Sequence, residues 1–316
     1  MMCSFQCTAS RRALASILAG WLAIGSAALA RAEDASPSAA PAPYSLPLQL
    51  RPAVASTVIR LDTALAFYED PVSHDSGVTL VPLLLGSYKL SDQLAVLARI
   101  GAASDSPPAG ASGFAILNPV LGATYALKPA APLRLAFFLG VALPFGSGGG
   151  DDPDPAQKAA RIAGVPARSA LDNAMFAVND LTIFPGVDLA YVADGLTLQL
   201  EATLLQLTRV RGASDQPDSA RTNFTAGVHV GYFFVPALSA AVELRHQRWL
   251  STPKQIEADS TGALRDTTTL AFGPRVHFKL AQGVSMHPAL ALVLPLDDPM
   301  AARDYRIVQL DLPVAF

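Results

Sequence analysis

From Val54 onward the chain is a succession of runs of roughly 11 to 15 residues in which polarity alternates with period two, broken by clusters of Gly, Pro, Asp and Ser. Successive side chains of a strand point to opposite faces, so each such run predicts a strand with one apolar and one polar face. Near residue 275, Leu270, Phe272, Val276, Phe278 and Leu280 share one face, and Arg275, His277 and Lys279 share the other. Leu133, Leu135, Phe137, Leu139, Val141 and Leu143 likewise oppose Arg134, Ala136 and Gly140. Ile59, Leu61 and Leu65 oppose Arg60, Asp62 and Ala64; Val228, Val230 and Tyr232 oppose His229 and Gly231; Val242 and Leu244 oppose Glu243 and Arg245.

Period alone does not say which face is covered, but the connections between runs add a second pattern. Short connections fall at Ser91 to Gln93, Lys128 to Pro132, Asp194 and Gly195, Val235 to Ala237, and Ala281 to Gly283. Long ones fall near 70–77, 104–113, 147–180, 212–220, 251–264 and 297–303, in strict alternation with the short ones. Five short and six long connections join twelve strands and leave both chain ends on the short-turn side. Hydrophobic residues make up 51% of the 316, yet beyond the first 30 no long apolar stretch escapes interruption by charge, Pro or Gly. A helical membrane protein is thereby excluded. A closed barrel places that much apolar surface in lipid without leaving unpaired sheet edges. The expected fold is all-β: a transmembrane antiparallel up-and-down barrel of about 12 strands over residues 54–316, with long extracellular loops and short periplasmic turns. The net charge of -3 gives no basis for nucleic-acid binding.

The N-terminus carries Arg11 and Arg12 followed by a chargeless run from Ala13 to Ala30, which predicts a signal peptide over 1–32 cleaved after Ala30 or Ala32. Cys3 and Cys7 lie upstream of that run, so the exported chain has no thiol. Residues 33–53, rich in Pro, Ala and Ser, are expected to be a disordered periplasmic leader.

With these faces the expected lumen carries Arg60, Asp62, Arg99, Arg134, Asp188, Gln199, Glu201, His229, Glu243, Arg245, Arg275, His277, Lys279, Gln309 and Asp311. Both signs are represented. Such a set either selects solutes in a conduit or fills the barrel as an ion-pair network. Tyr88, Tyr125, Tyr191 and Tyr232 each fall a few residues before a short turn, as an interfacial aromatic girdle would. Phe67, Phe145, Trp249 and Tyr305 are expected to form a second belt at the opposite end.

The last run, Tyr305 to Phe316, alternates Val308, Leu310, Leu312, Val314 and Phe316 against Gln309 and Asp311. This strand ending on Phe316 resembles the C-terminal signature of bacterial outer-membrane β-barrel proteins. The layout is also similar to the outer-membrane transporter group related to phenol-degradation pathway proteins. The resemblance implies outer-membrane localisation with both termini periplasmic, surrounding outer-membrane lipids, and Phe316 as a signal read by the barrel-assembly machinery. Function then divides three ways: a narrow channel or transporter for small solutes, a closed structural barrel whose external loops bind partners, or a lipid-modifying enzyme.

No catalytic, metal or cofactor site is expected. A metal site would need two or three of the five histidines converging with carboxylates, and only His229 and His277 look lumenal, on strands that are not immediate neighbours. His246 with Ser251 is the nearest approach to a nucleophile and base. Gly146 to Gly150 lacks the Lys of a phosphate loop, and Asp151, Asp152 and Asp154 lack the ligand spacing of a calcium loop. The connection 147–180, with a short helix expected over Pro155 to Gly164, is long enough to fold inward as a constriction or plug, or to stand outside. Oligomeric state is not encoded in any of these features.

Overall fold

The computed structural model describes residues 44–316; the expected signal peptide and residues 33–43 lie outside the described residues. The strands are β1 (Val58–Glu69), β2 (Ser76–Lys89), β3 (Leu94–Ser106), β4 (Gly113–Ile116), β5 (Val120–Ala130), β6 (Leu133–Ala142), β7 (Asp180–Ala193) and β8 (Leu196–Arg209). They continue as β9 (Ala220–Val235), β10 (Leu238–Trp249), β11 (Asp266–Val276), β12 (Phe278–Ala281), β13 (Val284–Met286), β14 (Ala289–Pro295) and β15 (Arg306–Ala315). Each wall strand pairs antiparallel with its sequence neighbour, and β15 returns to β1 over Val58↔Ala315 to Phe67↔Arg306. The wall is therefore a closed 12-strand antiparallel barrel. The short β4 pairs only with β3, and β12 and β13 form the tip of the hairpin that continues β11 and β14.

The turns obey local chemistry. Asp194 and Gly195, both at positive φ, form the two-residue turn between β7 and β8, the conformation that matches strand twist. Pro82, Pro185 and Pro274 stand inside wall strands, and each coincides with a gap in one ladder because proline has no N–H to donate. The β2–β3 pairing skips from Leu80↔Ser104 to Leu83↔Gly101, β7–β8 from Ile183↔Gln206 to Gly186↔Thr203, and β11–β14 from Phe272↔Leu292 to Arg275↔Ala289.

Burial alternates along the wall in a sense opposite to that of a soluble sheet. On β8, Thr197, Gln199, Glu201 and Thr203 are buried, while Leu198, Leu200 and Leu204 are exposed on the outer surface. Leu61, Leu84, Ile100, Leu139, Leu189, Val230 and Leu244 join them in an exposed apolar belt around the barrel. A surface of that size calls for lipid, not water, as its solvent.

Two segments fill the interior. From the short-turn end, residues 44–53 run up the lumen before β1, with Leu48 and Leu50 fully buried. This overturns the expectation of a disordered leader for that stretch: its backbone groups find hydrogen-bond partners on the barrel's inner face, so ordering is compensated. From the long-loop end, the connection between β6 and β7 folds inward. It carries α1 (Pro155–Ala167), capped by the Asp154 carboxylate accepting from the Gln157 amide at 2.8 Å, and α2 (Asn173–Phe176), whose four residues are all buried. A further turn of helix, α3 (Lys254–Glu257), lies in the β10–β11 connection. Met175 and Phe176 sit in an apolar cluster with Val81, Leu83, Leu117, Leu205, Leu207, Val293 and Ile307 from the inner wall. The long-loop half of the lumen thus holds an apolar cluster beside buried polar groups such as Thr79, Asp105, Asn223 and Gln247, and the half toward the short turns is dominated by charge.

Candidate functional site

The charged half is built by register. Asp188 faces Glu201 across β7 and β8, Gln199 faces His229 across β8 and β9, and His229 faces Glu243 across β9 and β10. Asp62 faces Asp311 across the closure of β1 and β15. Arg60, Asp62, Asp188, Gln199, Glu201, His229, Glu243, Arg245, Arg275, Gln309 and Asp311 are all buried and form a belt around the inside. Arg99 and Arg134, half-buried, extend the belt on β3 and β6.

Most of the belt is spent holding the N-terminal segment. The Glu243 carboxylate accepts from three successive backbone amides, those of Leu48 at 2.5 Å, Gln49 at 2.8 Å and Leu50 at 3.3 Å, and its Oε1 lies 2.8 Å from His229 Nδ1. Consecutive N–H groups converging on an anion make a strong anchor because the acceptor is fully charged. The Arg51 amide donates to Glu201 at 2.6 Å, and Arg245 donates to the same carboxylate at 3.1 Å. Arg60 donates to Asp311 at 2.6 Å and to the Leu48 carbonyl at 2.9 Å; Arg275 donates to Asp311 at 2.7 Å and to the Pro47 carbonyl at 2.8 Å. Gln199 accepts from the Tyr44 hydroxyl, and the Arg134 guanidinium lies 5.5 Å over the Tyr44 ring.

The remainder holds the inserted connection. Arg168, just past α1, donates to both oxygens of Asp62 at 2.8 Å and to Asp172 at 3.0 Å, and Arg99 pairs with Asp172 from the other side. Burial alone would raise the Asp172 carboxyl, but these two guanidiniums hold it below the usual carboxylate range. Gln309 donates to Asp62 at 2.7 Å, so one carboxylate joins wall and insert.

Between the two inserts lies a cavity of about 260 Å³ lined by Leu50, Arg99, Phe138, Met175, Glu201 and Arg245 among others. Above the insert, at the long-loop end, a vestibule of about 910 Å³ is lined by Tyr68, Phe176, Leu207, Arg221, Trp249 and Tyr305 among others. Tyr68 and Tyr305 stack with centroids 5.1 Å apart, and Arg221 lies 5.5 Å over the Trp249 ring.

Several expectations need correction. Trp249 and Tyr305 are buried inside the barrel, not in an outer belt: Trp249 ends β10, and Tyr305 immediately precedes β15, each in parity with residues (Glu243, Arg245, Gln247; Ile307, Gln309, Asp311) that face inward. Phe145 is exposed, and Phe67 is partly exposed on the outward parity of β1. Tyr88, Tyr125, Tyr191 and Tyr232 are exposed on the outer face near the short turns. Lys279 is exposed on β12, beyond the closed wall, and does not line the lumen. His277 is half-buried at the short-turn mouth against Ser239 and His287.

Sequence reasoning did not find Arg51, Arg168 or Asp172. Arg51 carried a signal, being the one charge in a stretch where Leu46, Leu48 and Leu50 alternate; the insert's pair carried none beyond the length of the connection. His246 and Ser251 are not brought together: His246 Nδ1 lies 3.0 Å from the Thr268 hydroxyl, while Ser251 engages Thr222. Asp151 and Asp154 serve loop and helix-cap contacts. Among the described residues no three or more His, Cys, Asp or Glu come together in one cluster that could hold a metal ion.

The chain is similar in structure to the COG4313 outer membrane channel from Pseudomonas putida F1, at a TM-score of 0.53 and 16% identity over 90% of this chain and 100% of that one. The fold is that of the bacterial outer-membrane β-barrels. Weaker likenesses include the NanC porin (TM-score 0.45, 10% identity, 81% of this chain and 98% of that one) and the KdgM porin (TM-score 0.43, 9% identity, 81% and 99%). No family model matches the sequence, and no curated protein matches it significantly.

Proposed function

We propose that this barrel is a narrow outer-membrane channel or transporter for small solutes, with both termini on the periplasmic side and the long loops outside. One observation carries the reading: two segments enter the lumen from opposite ends and stop on either side of a cavity, beneath a vestibule open toward the long loops. A barrel meant only as a scaffold has no use for a vestibule lined by stacked tyrosines and a tryptophan. The vestibule sets aromatic rings beside charged groups, Asp105, Arg161, Asp180, Arg221 and Arg303 among them, above the charged belt, which suits small polar or charged solutes. Residues 44–53 and the β6–β7 connection act as the two constrictions. Tyr88, Tyr125, Tyr191 and Tyr232 anchor the short-turn rim among lipid headgroups. The exposed Phe316, whose amide donates to the Thr57 carbonyl, is offered to the assembly machinery.

Single-channel conductance in a planar bilayer tests this, using the intact barrel, a deletion of residues 150–176 and a truncation of residues 44–53. The reading expects small steps in the intact protein and larger ones in either shortened form. Silence in all three, with folded barrels, would sink it. The second reading, a closed structural barrel, draws on the pairing of lumenal charges: Arg60 and Arg275 with Asp311, Arg245 with Glu201, and Arg168 with Asp62. Silence in all three forms is what that reading expects.

A further inference from the structure

The hairpin tip formed by β12 and β13 has at its base two imidazoles that neither insert uses. His277 follows β11 and His287 precedes β14, and the hairpin register, Phe278↔Met286 and Lys279↔Ser285, sets them directly opposite each other. Their Nδ1 atoms face one another at 2.9 Å. The outer nitrogen of each ring is engaged: His277 Nε2 lies 2.9 Å from the Ser239 hydroxyl, and His287 Nε2 lies 2.9 Å from the Ser285 hydroxyl. The Phe233 ring packs on His277 with centroids 4.6 Å apart, and Arg275 donates to the His287 carbonyl at 2.5 Å. Both imidazoles are held in place before any ligand arrives.

We propose that this pair is a binding site for a borderline transition-metal cation of the Cu(II), Zn(II) or Ni(II) kind, ligated by both Nδ1 atoms. Imidazole nitrogen suits these ions, and a ligating histidine usually has its second ring nitrogen bonded to an oxygen, as both have here. Tetrahedral metal–nitrogen bonds of about 2.0–2.1 Å separate two ligand nitrogens by ~3.3 Å, so the rings need to part by only a few tenths of an ångström. The rings are half-buried and the neighbouring Lys279 and Leu280 are exposed, which leaves the open coordination positions within reach of water. The nearby Arg275 shares the Asp311 carboxylate with Arg60, so that carboxylate offsets part of the guanidinium charge facing a dication.

The ion would clip the β11–β14 seam beside the place where Pro274 interrupts the ladder between Phe272↔Leu292 and Arg275↔Ala289, next to the Val276 amide that donates to the Pro288 carbonyl. Through Arg275 the same seam touches Pro47 of the N-terminal segment, so the site sits at the short-turn mouth beside one of the two inserts.

The test is calorimetric titration of the full chain in detergent, without an affinity tag and with Cys3 and Cys7 alkylated, using CuCl₂ and ZnCl₂. One saturable site is expected, abolished in the H277Q and H287Q double variant and unaffected by H74Q or H246Q. S239A and S285A keep both ligands, and each should weaken binding by about 10- to 100-fold. The Cu(II) complex should give an electron paramagnetic resonance spectrum with hyperfine coupling to two imidazole nitrogens. Absence of saturable binding, or binding undiminished in the double variant, would overturn the proposal. If the double variant does not fold, unchanged affinity in both serine variants overturns it equally.

Discussion

Replacing Glu243 by Ala removes the acceptor on which the N-terminal segment hangs. The carboxylate is fully buried and receives two short amide bonds, from Leu48 at 2.5 Å and Gln49 at 2.8 Å, and a longer one from Leu50 at 3.3 Å. A hydrogen bond to a charged group contributes about 1.5 kcal/mol at the lower end of its range, so the two short bonds together hold the segment by about 3 kcal/mol. At about 1.4 kcal/mol per factor of ten, the opening equilibrium of residues 44–53 should shift by roughly a hundredfold. Amide hydrogen exchange reads that equilibrium site by site. Protection at Leu48 and Gln49 should fall by about two orders of magnitude while amides of β8 and β9 keep theirs; Glu243→Gln, which retains one acceptor oxygen, should lose about one order. Unchanged protection at Leu48 in Glu243→Ala would refute the reasoning, since it would mean that the bonds from Arg60 and Arg275 and the burial of Leu48 and Leu50 hold the segment without Glu243.

Asp62→Ala leaves the buried Arg168 without its bidentate partner, a loss of about 3–5 kcal/mol, and trypsin should then cut after Arg161 or Arg168, sites the intact protein protects; equal protection would show the insert is held elsewhere. The chain has two tryptophans, and with the proposed signal peptide removed only Trp249 remains, so brominated lipids should barely quench its fluorescence. Strong quenching would return Trp249 to the lipid-facing belt. Gly273→Ala would bring a Cβ within 1.9 Å of the Leu290 carbonyl oxygen, so the β11–β14 seam must shift. That should lower the barrel's stability by about 1–3 kcal/mol, read as a lower temperature for the heat-induced gel-mobility change, and an unaltered temperature would refute the close approach.

Period two decides which side of the wall a residue takes, and most of the fold follows from it. Strand number and the alternation of short and long connections were readable because an outward apolar face and a turn cluster recur at each crossing. Trp249 and Tyr305 show the cost of setting that rule aside: residue type suggested a lipid-facing ring, while their parity with Glu243 and Gln309 already placed them inside. Lys279 shows the rule's limit, since parity says nothing about where the closed wall ends. The inserts are a different matter. The Arg168–Asp62 and Arg51–Glu201 contacts join residues 106 and 150 apart, and no local pattern reports a partner at that distance.

The strap through the lumen also constrains the order of assembly. Apart from Arg60 on β1, the main partners of residues 44–53 lie on β8, β10, β11 and β15, up to 261 residues further along the chain, and a chain delivered N-terminus first presents the strap long before they arrive. Leu48 and Leu50 must therefore wait, solvated or shielded by something else, until the final strands arrive. Sealing β15 against β1 and seating the strap become one event, because Asp311 and Gln309 complete the wall and the strap's berth together. Loops that must close over such separations form slowly, so maturation should show a late step in which both happen at once.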